Sequence, residues 1–257
     1  VIPARFGSTR YPGKPLARET GKTLIQHVVE RAHQAARAAA VVVATDDARI
    51  WEAVRGFGGT AVMTREDHAS GTDRIAEVMG RPEYTDVGVV VNVQGDEPEM
   101  APEVIDALIE AVEEGAGGTG AEMATASAPF GPGEDVTNPN VVKVVTDEAG
   151  YALYFSRAAI PYDRDAAGVM AAGRYRKHLG IYAYRRETLL ELATAPACEL
   201  ERIEKLEQLR ALWMGVKIMV REAAQAPHGI DTPADYAEFV RRYNGTDQRA
   251  QSGGRRG

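Results

Sequence analysis

The sequence predicts an α/β fold: a mostly parallel central sheet with helices on both faces and a smaller, hairpin-rich insertion. Three observations lead there. Short apolar runs with little internal alternation recur through the first half, as strands buried on both faces require. Stretches with apolar residues three and four apart separate those runs and read as helices. After Pro129 this regularity gives way to turn-linked extended pieces.

In chain order, Val1–Ala4 reads as the end of a strand. Val41–Thr45, Thr60–Thr64, Gly88–Val93 and Met123–Ala126 read as further strands. The helical stretches between them are Thr23–Ala39, Asp47–Phe57, Gly71–Met79 and Pro102–Glu114. Val141–Thr146 and Tyr151–Ser156 flank Asp147-Glu148-Ala149-Gly150, a hairpin signal. An extended piece at His178–Tyr184 follows a loop, Asp163–Arg174, whose Ala- and Gly-rich composition reads as mobile. One helix is expected over Glu199–Met214, buried along Leu200, Ile203, Leu206, Leu209, Leu212 and Trp213. A strand at Val216–Val220 and a helix with Thr232 as N-cap and Pro233 as first residue close the fold. From Asn244 onward the polar, Gly-rich residues read as a frayed tail. Residues 1–243 are expected to form one domain: a first half to about 128, the insertion over 129–185 and a closing segment over 186–243.

Composition removes several classes of function. A chain of 257 residues, 44% hydrophobic and 26% charged, buries a full core and is neither disordered nor fibrous. Its net charge of −7 argues against nucleic-acid or membrane-surface partners. Apolar runs such as Val87–Val93 fall far short of the roughly 20 residues that cross a bilayer. Cys198 is the single cysteine, forms no internal disulfide and fits a reducing compartment. No signal-peptide pattern is visible, and a cytoplasmic setting is expected.

The first strand-to-helix turn is the most informative segment. Residues 1–18 hold Arg5, Arg10, Lys14 and Arg18 and no acid. Gly7 and Gly13 lie among these cations, at the sheet edge where α/β proteins bind ligands. Glycine admits main-chain N–H groups to phosphate oxygens, while Arg and Lys supply charge-assisted bonds. Two familiar phosphate loops are excluded. Five residues separate Gly7 from Gly13 and Pro15 follows Lys14, which breaks the P-loop pattern; the dinucleotide fingerprint is also absent from this turn. A second signal, Asn92-Val93-Gln94-Gly95-Asp96-Glu97-Pro98, ends the run Val87–Val93. It puts Asp96 at the same edge, either as a magnesium ligand or as an acid capping the next helix. Asp231, just before Thr232-Pro233, carries the same two readings.

Several of these segments resemble signatures of the 3-deoxy-manno-octulosonate (KDO) cytidylyltransferases. They are Val1-Ile2-Pro3-Ala4-Arg5, Ser8-Thr9-Arg10-Tyr11-Pro12-Gly13-Lys14-Pro15-Leu16, His68-Ala69-Ser70-Gly71-Thr72-Asp73-Arg74 and Gln94-Gly95-Asp96-Glu97-Pro98. Further matches are Tyr154-Phe155-Ser156-Arg157 with Ile160-Pro161, His178-Leu179-Gly180-Ile181-Tyr182, Leu206-Glu207-Gln208-Leu209-Arg210 and Asp231-Thr232-Pro233, in the expected order. The resemblance implies a Rossmann-like nucleotidyltransferase fold and a homodimer. It also implies transfer of CMP from CTP to the anomeric hydroxyl of KDO, with release of pyrophosphate, for lipopolysaccharide synthesis.

Carried over residue by residue, the resemblance implies that Arg5, Arg10 and Lys14 hold the triphosphate and that Asp96 and Asp231 hold Mg2+. Thr45, Asp46, Ser70, Gly71 and Thr72 would line the cytidine pocket. Gln94, Arg157, His178, Tyr182, Glu207 and Gln208 would hold the sugar acid. The residues themselves leave some alternatives open. Arg157 suits a carboxylate or a structural ion pair. Glu207 also suits an ion pair with Arg210 three positions on, and His178 suits a core histidine. The other histidines show no zinc-like spacing, and Cys198 has no visible base partner. Rival functions are a cytidylyltransferase for 8-amino-KDO or sialic acid, a nicotinamide oxidoreductase and a non-catalytic nucleotide sensor.

Overall fold

The structure, a computed structural model, describes residues 1–7, 10–114, 121–165 and 172–253, with side chains described as far as residue 245. Ser8 and Thr9 of the basic loop, residues 166–171 of the expected mobile loop and the last four residues of the expected tail lie outside the described residues. The chain forms two units, neither continuous in sequence. One comprises Val1–Arg74, Gln94–Pro102 and Pro227–Gly257; the other comprises Ile75–Val93 and Glu103–Ala226.

The first unit is built on a parallel sheet of β1 (Ile2–Ala4), β2 (Val42–Thr45) and β3 (Thr60–Met63), in that order. β2 is buried along its whole length, as a strand covered on both faces must be. α1 (Leu24–Ala32) starts where Thr23 accepts the Gln26 N–H, and α2 (Ala48–Gly56) starts where Asp47 accepts the Arg49 N–H. α1 stops at Ala32, short of the expected Ala39. The alanine-rich run beyond it has helix propensity but little large apolar surface to bury, and packing rather than propensity sustains short helices. α8 (Pro233–Gly253) opens at the expected cap, with the Asp235 N–H bonded to Thr232 Oγ1 at 3.2 Å. It continues past Asn244, where a frayed tail is expected; once nucleated, a helix propagates cheaply through residues such as Gln, Arg and Ala. Leu24, Ile230, Tyr236 and Phe239 form a core cluster of this unit, with Tyr11 packed against it.

The second unit holds, among the described residues, a six-stranded sheet. Its strands are β4 (Val89–Asn92), β5 (Met123–Pro129), β6 (Lys143–Thr146), β7 (Ala152–Ser156), β8 (Arg176–Arg185) and β9 (Ile218–Glu222). The order is β7-β6-β8-β5-β9, with β4 also paired to β8. Only β5 and β9 pair in parallel here, so parallel pairing is less extensive than the sequence predicts. The reason is β8. The helix α4 (Pro102–Glu114) separates β4 from β5 and correctly suggests that they run the same way. A strand from much later in the chain inserts between them, antiparallel to both. The β6–β7 hairpin forms as expected and joins this same sheet through β8.

Three further helices follow β8: α5 (Arg186–Thr194), α6 (Glu199–Glu204) and α7 (Gln208–Trp213). α5 is absent from the sequence reading because it begins directly at the strand end, with no side-chain cap to announce it. The single helix expected over Glu199–Met214 is broken at Lys205, which adopts a left-handed backbone at φ 55°. Long-range polar contacts outweigh the apolar stripe. Glu204 accepts from the Ser156 hydroxyl at 2.6 Å and the Arg157 N–H at 3.0 Å. Arg210 makes a two-pronged pair with Glu201 at 2.6 and 2.8 Å. Ile203 and Trp213, expected in the core, are 71% and 67% exposed. A left-handed conformation costs an L residue roughly 1–2 kcal/mol; glycine removes that cost but gives part of the gain back through its greater freedom when unfolded. Lys205→Gly is therefore expected to stabilise the protein by ~0.5–1 kcal/mol in denaturant unfolding, and a loss of stability would contradict this account of the break.

Candidate active site

The basic loop owes its shape to one backbone bond and one glycine. The Gly13 N–H donates to Phe6 O at 3.0 Å, closing the loop on itself. Gly13 has φ +74°, and a Cβ there would lie 3.0 Å from the Phe6 ring, so both conformation and space call for glycine. The Arg49 guanidinium stacks over the Phe6 ring, 3.3 Å from its centre. Tyr11 packs against Tyr236 of α8 with ring centres 6.0 Å apart. Anchored in this way, the loop leads Lys14 into a short 3-10 turn, Lys14–Leu16.

Lys14 is buried. Its ammonium donates to Asp96 Oδ2 at 2.8 Å and to Ile230 O at 2.6 Å. Arg10, exposed, donates to Asp231 Oδ1 at 2.8 Å. The capping alternative for Asp231 is answered by its neighbours. Thr232 supplies the cap, and Asp235 Oδ2 accepts the N–H groups of Asp231 and Thr232, leaving the Asp231 carboxylate for Arg10. Asp96 is likewise occupied by Lys14. Gly95 lets this segment approach β1 closely, since a Cβ there would fall 2.9 Å from Pro3 O. The Ile230 N–H bonds Asp96 O at 2.9 Å and ties the two acidic segments together.

These groups line one cavity of about 320 Å³, with Arg5, Arg10, Lys14, Gln94, Asp96 and Asp231 on its wall. Ser70 and Gly71 line it too, at the start of α3 (Gly71–Met79). Ser70 Oγ accepts the Asp73 N–H at 3.2 Å and so caps that helix, whose positive end favours an anion. Thr45, Asp46 and Thr72, expected in the cytidine pocket, are not among the lining residues. Thr45 is fully buried and accepts the Asp47 N–H. Asp46 pairs at 2.5 Å with Arg74, whose guanidinium also donates to Thr64 Oγ1 and Arg65 O. Asp46 thus acts by fixing Arg74, which does reach the cavity. Sequence reasoning gave Arg74 no role, because an arginine three residues after a helix start most often faces water.

Glu97 was also passed over. Burial, then the charges of Asp96 and Asp231, push its carboxyl up to about 8, so it is mostly protonated at neutral pH. Its Oε2 is sealed from water without a hydrogen-bond partner. The carboxyls of Asp96 and Asp231 lie within electrostatic reach of it. Among the described residues no group of three or more His, Cys, Asp or Glu side chains is arranged to hold a metal. Two carboxylates nevertheless suit magnesium, a hard ion that takes one or two of them together with substrate phosphate oxygens.

The second unit carries the remaining candidates. A bulge in the β5–β8 pairing at Thr125/Ala126 sets the directions of His178 and Tyr182. Thr125 Oγ1 lies 2.8 Å from Ile181 O and 3.0 Å from His178 Nε2. The His178 ring meets Phe155 edge-on at 5.0 Å and Tyr182 at 5.3 Å. Burial pushes His178 down to about 3, which keeps the imidazole neutral. Burial, then Tyr184 and Glu207, raise the Tyr182 phenol well above its ordinary range, so it stays a donor. Gln208 is buried with Nε2 lacking a partner, a group in need of a ligand.

Arg157 does not present an open fork. It donates to Glu204 O at 2.6 Å, Pro139 O at 2.8 Å and Lys205 O at 3.4 Å. Backbone carbonyls stranded where α6 ends require donors, and Arg157 supplies them. It is a brace for the turn that leads into Glu207 and Gln208. Arg210, the alternative partner of Glu207, pairs with Glu201 at 2.6 Å.

Residues 1–218 match the family described as cytidylyltransferase. The 3-deoxy-manno-octulosonate cytidylyltransferase of Idiomarina loihiensis is 52% identical over 241 residues, covering 91% of this chain and 94% of that protein. That of Methylococcus capsulatus is 51% identical over 252 residues, covering 95% and 96%. A solved structure of a CMP:2-keto-3-deoxy-manno-octonic acid synthetase complexed with CTP superposes with a TM-score of 0.86 at 43% identity, covering 95% of this chain and 97% of that one.

The neutral His178 makes a prediction with a definite sign. Its folded value of about 3 lies below the ordinary 6.5. Its contribution to stability is complete above pH 6.5 and is lost as pH falls toward 3, because the unfolded chain takes the proton first. Unfolding free energies of the protein and of His178→Gln, measured from pH 7 to 4, are expected to diverge in slope by up to ~1.4 kcal/mol per pH unit, the protein losing stability faster. Parallel slopes would contradict the assignment.

Proposed function

The chain belongs to the cytidylyltransferase family, among its 3-deoxy-manno-octulosonate members, and on that premise we propose that it transfers CMP from CTP to the anomeric hydroxyl of KDO. The anomeric oxygen attacks the α-phosphorus in line. The bond from that phosphorus to the β-phosphate oxygen breaks, and pyrophosphate leaves. Such a transfer rests on positioning and charge neutralisation, with no covalent enzyme intermediate.

The observation that carries this reading is the pairing of two cations with two acids on one cavity wall. In the free protein each acid is neutralised by a cation. An arriving triphosphate is the stronger partner for Arg10 and Lys14, and drawing them away leaves Asp96 and Asp231 to hold Mg2+. When bound, the ion draws negative charge from the phosphate oxygens and steadies the attacking alkoxide. Arg5, Arg10 and Lys14 offset charge on the leaving pyrophosphate. Ser70, Gly71 and the Arg74 that Asp46 holds orient the nucleotide. His178, Tyr182, Glu207 and Gln208 of the second unit bind the sugar acid, with Arg157 bracing the last two.

A homodimer in the cytoplasm completes the proposal. Leu153, Ile203 and Trp213 of the second unit leave large apolar side chains 61%, 71% and 67% exposed and are the apolar groups such an interface would cover. No described helix is long and apolar enough to cross a membrane. Sedimentation is expected to give twice the chain mass, and Trp213→Asp to shift the population toward single chains; a monomeric parent protein would refute the dimer.

Pyrophosphate release from CTP and Mg2+ with a panel of sugar acids tests the function. KDO is expected to support turnover, and turnover with sialic acid alone would assign another substrate. Arg10→Ala is expected to lower kcat/KM at least tenfold, an effect worth about 1.4 kcal/mol. The thermal midpoint is expected to hardly move, since so exposed a pair adds little stability. A falling midpoint with intact turnover would make Arg10 structural.

A further inference from the structure

Asn92 is the last residue of β4, and its register places it beside the sugar-acid candidates. It lies directly opposite Tyr182 in the β4–β8 pairing, and Tyr182 lies opposite Thr125 in the β5–β8 pairing. Opposed residues share a sheet face, so Asn92, Tyr182 and Thr125 form a row across three strands. His178 touches that row through Thr125 Oγ1 and the Tyr182 ring. Asn92 is 3% exposed, and its Oδ1 is sealed from water with no hydrogen-bond partner. The same holds for Nε2 of Gln208. A buried polar atom without a partner weakens the fold, and its presence needs a reason. An orphaned acceptor on the face that presents Tyr182 suits a ligand rich in hydroxyl donors.

We propose that Asn92 is a further sugar-binding residue, its Oδ1 accepting a hydrogen bond from a hydroxyl of the sugar acid. The proposal rests on the reading that KDO is the acceptor. Removing the acceptor should weaken the sugar complex without touching the nucleotide.

The test is Asn92→Leu, close in volume and without polar atoms. KM for KDO is expected to rise about tenfold, equivalent to the ~1.4 kcal/mol of one hydrogen bond, with KM for CTP within twofold of the parent and a thermal midpoint no lower. An unchanged KM for KDO, or an equal rise for both substrates, would overturn the proposal. Should that variant not fold, the parent protein decides. Among KDO analogues each lacking one hydroxyl, one is expected to bind at least tenfold more weakly in calorimetry, with Asn92→Ser insensitive to that same deletion; equal losses in both proteins would overturn it. A parent protein that releases pyrophosphate with another sugar acid and not with KDO would refute the underlying function instead.

Discussion

The buried ammonium of Lys14 is the constraint on which the nucleotide site depends. An ammonium taken out of water is costly unless its charge and its N–H donors are matched. Here Asp96 supplies the charge and Ile230 O a second acceptor. One side chain thus pins together three segments that are remote in sequence: the basic loop, the turn after Val93 and the approach to α8. The supporting features follow from it. Gly13 closes the loop that aims the lysine, Gly95 lets its acid approach β1, and the Ile230 N–H returns a bond to Asp96 O. The pair is also a charge balance held in readiness, since phosphate and a divalent ion are the natural replacements for its two halves.

The two sets of candidate residues use different physics. In the first unit basic side chains paired with carboxyls face a cavity, which suits a highly charged triphosphate. In the second, apart from Glu207, they are uncharged: burial keeps His178 without its proton and Tyr182 with its own, and Asn92 and Gln208 are amides. Neutral hydrogen-bonding groups discriminate by geometry, because each donor or acceptor left unmatched inside the protein weakens binding of the wrong sugar. Arg157 illustrates the division. Its charge is spent on backbone carbonyls, and it contributes by holding the turn that bears Glu207 and Gln208.

Much of this was legible in the sequence wherever the signal is local. Apolar runs located β1 and β2, three- and four-residue spacing located α2 and α3, the Thr232-Pro233 cap located α8, and the cation-rich loop with Asp96 and Asp231 pointed to the cavity that they line. What escaped depends on contacts between distant residues. No local pattern tells β8 to insert between β4 and β5, or Glu204 to leave its helix for Ser156 and Arg157. Asp46 illustrates the same limit inside the site. The resemblance implied a cytidine contact for it, and only the fold reveals that Arg74 claims it. Glu97 and Asn92 stood inside a segment already singled out, yet their interest lies in being sealed without partners, a property of packing that spacing does not report.

The most direct test of the charge-exchange account is the affinity for Mn2+, a spectroscopic substitute for magnesium, measured by electron paramagnetic resonance with and without a non-hydrolysable CTP analogue. The account predicts weak binding of the ion alone, because Lys14 and Arg10 occupy its acids, and at least tenfold tighter binding once the nucleotide is present. Equal affinity in both cases would show that the cations and acids do not exchange partners, and would remove the physical basis of the proposed nucleotide site.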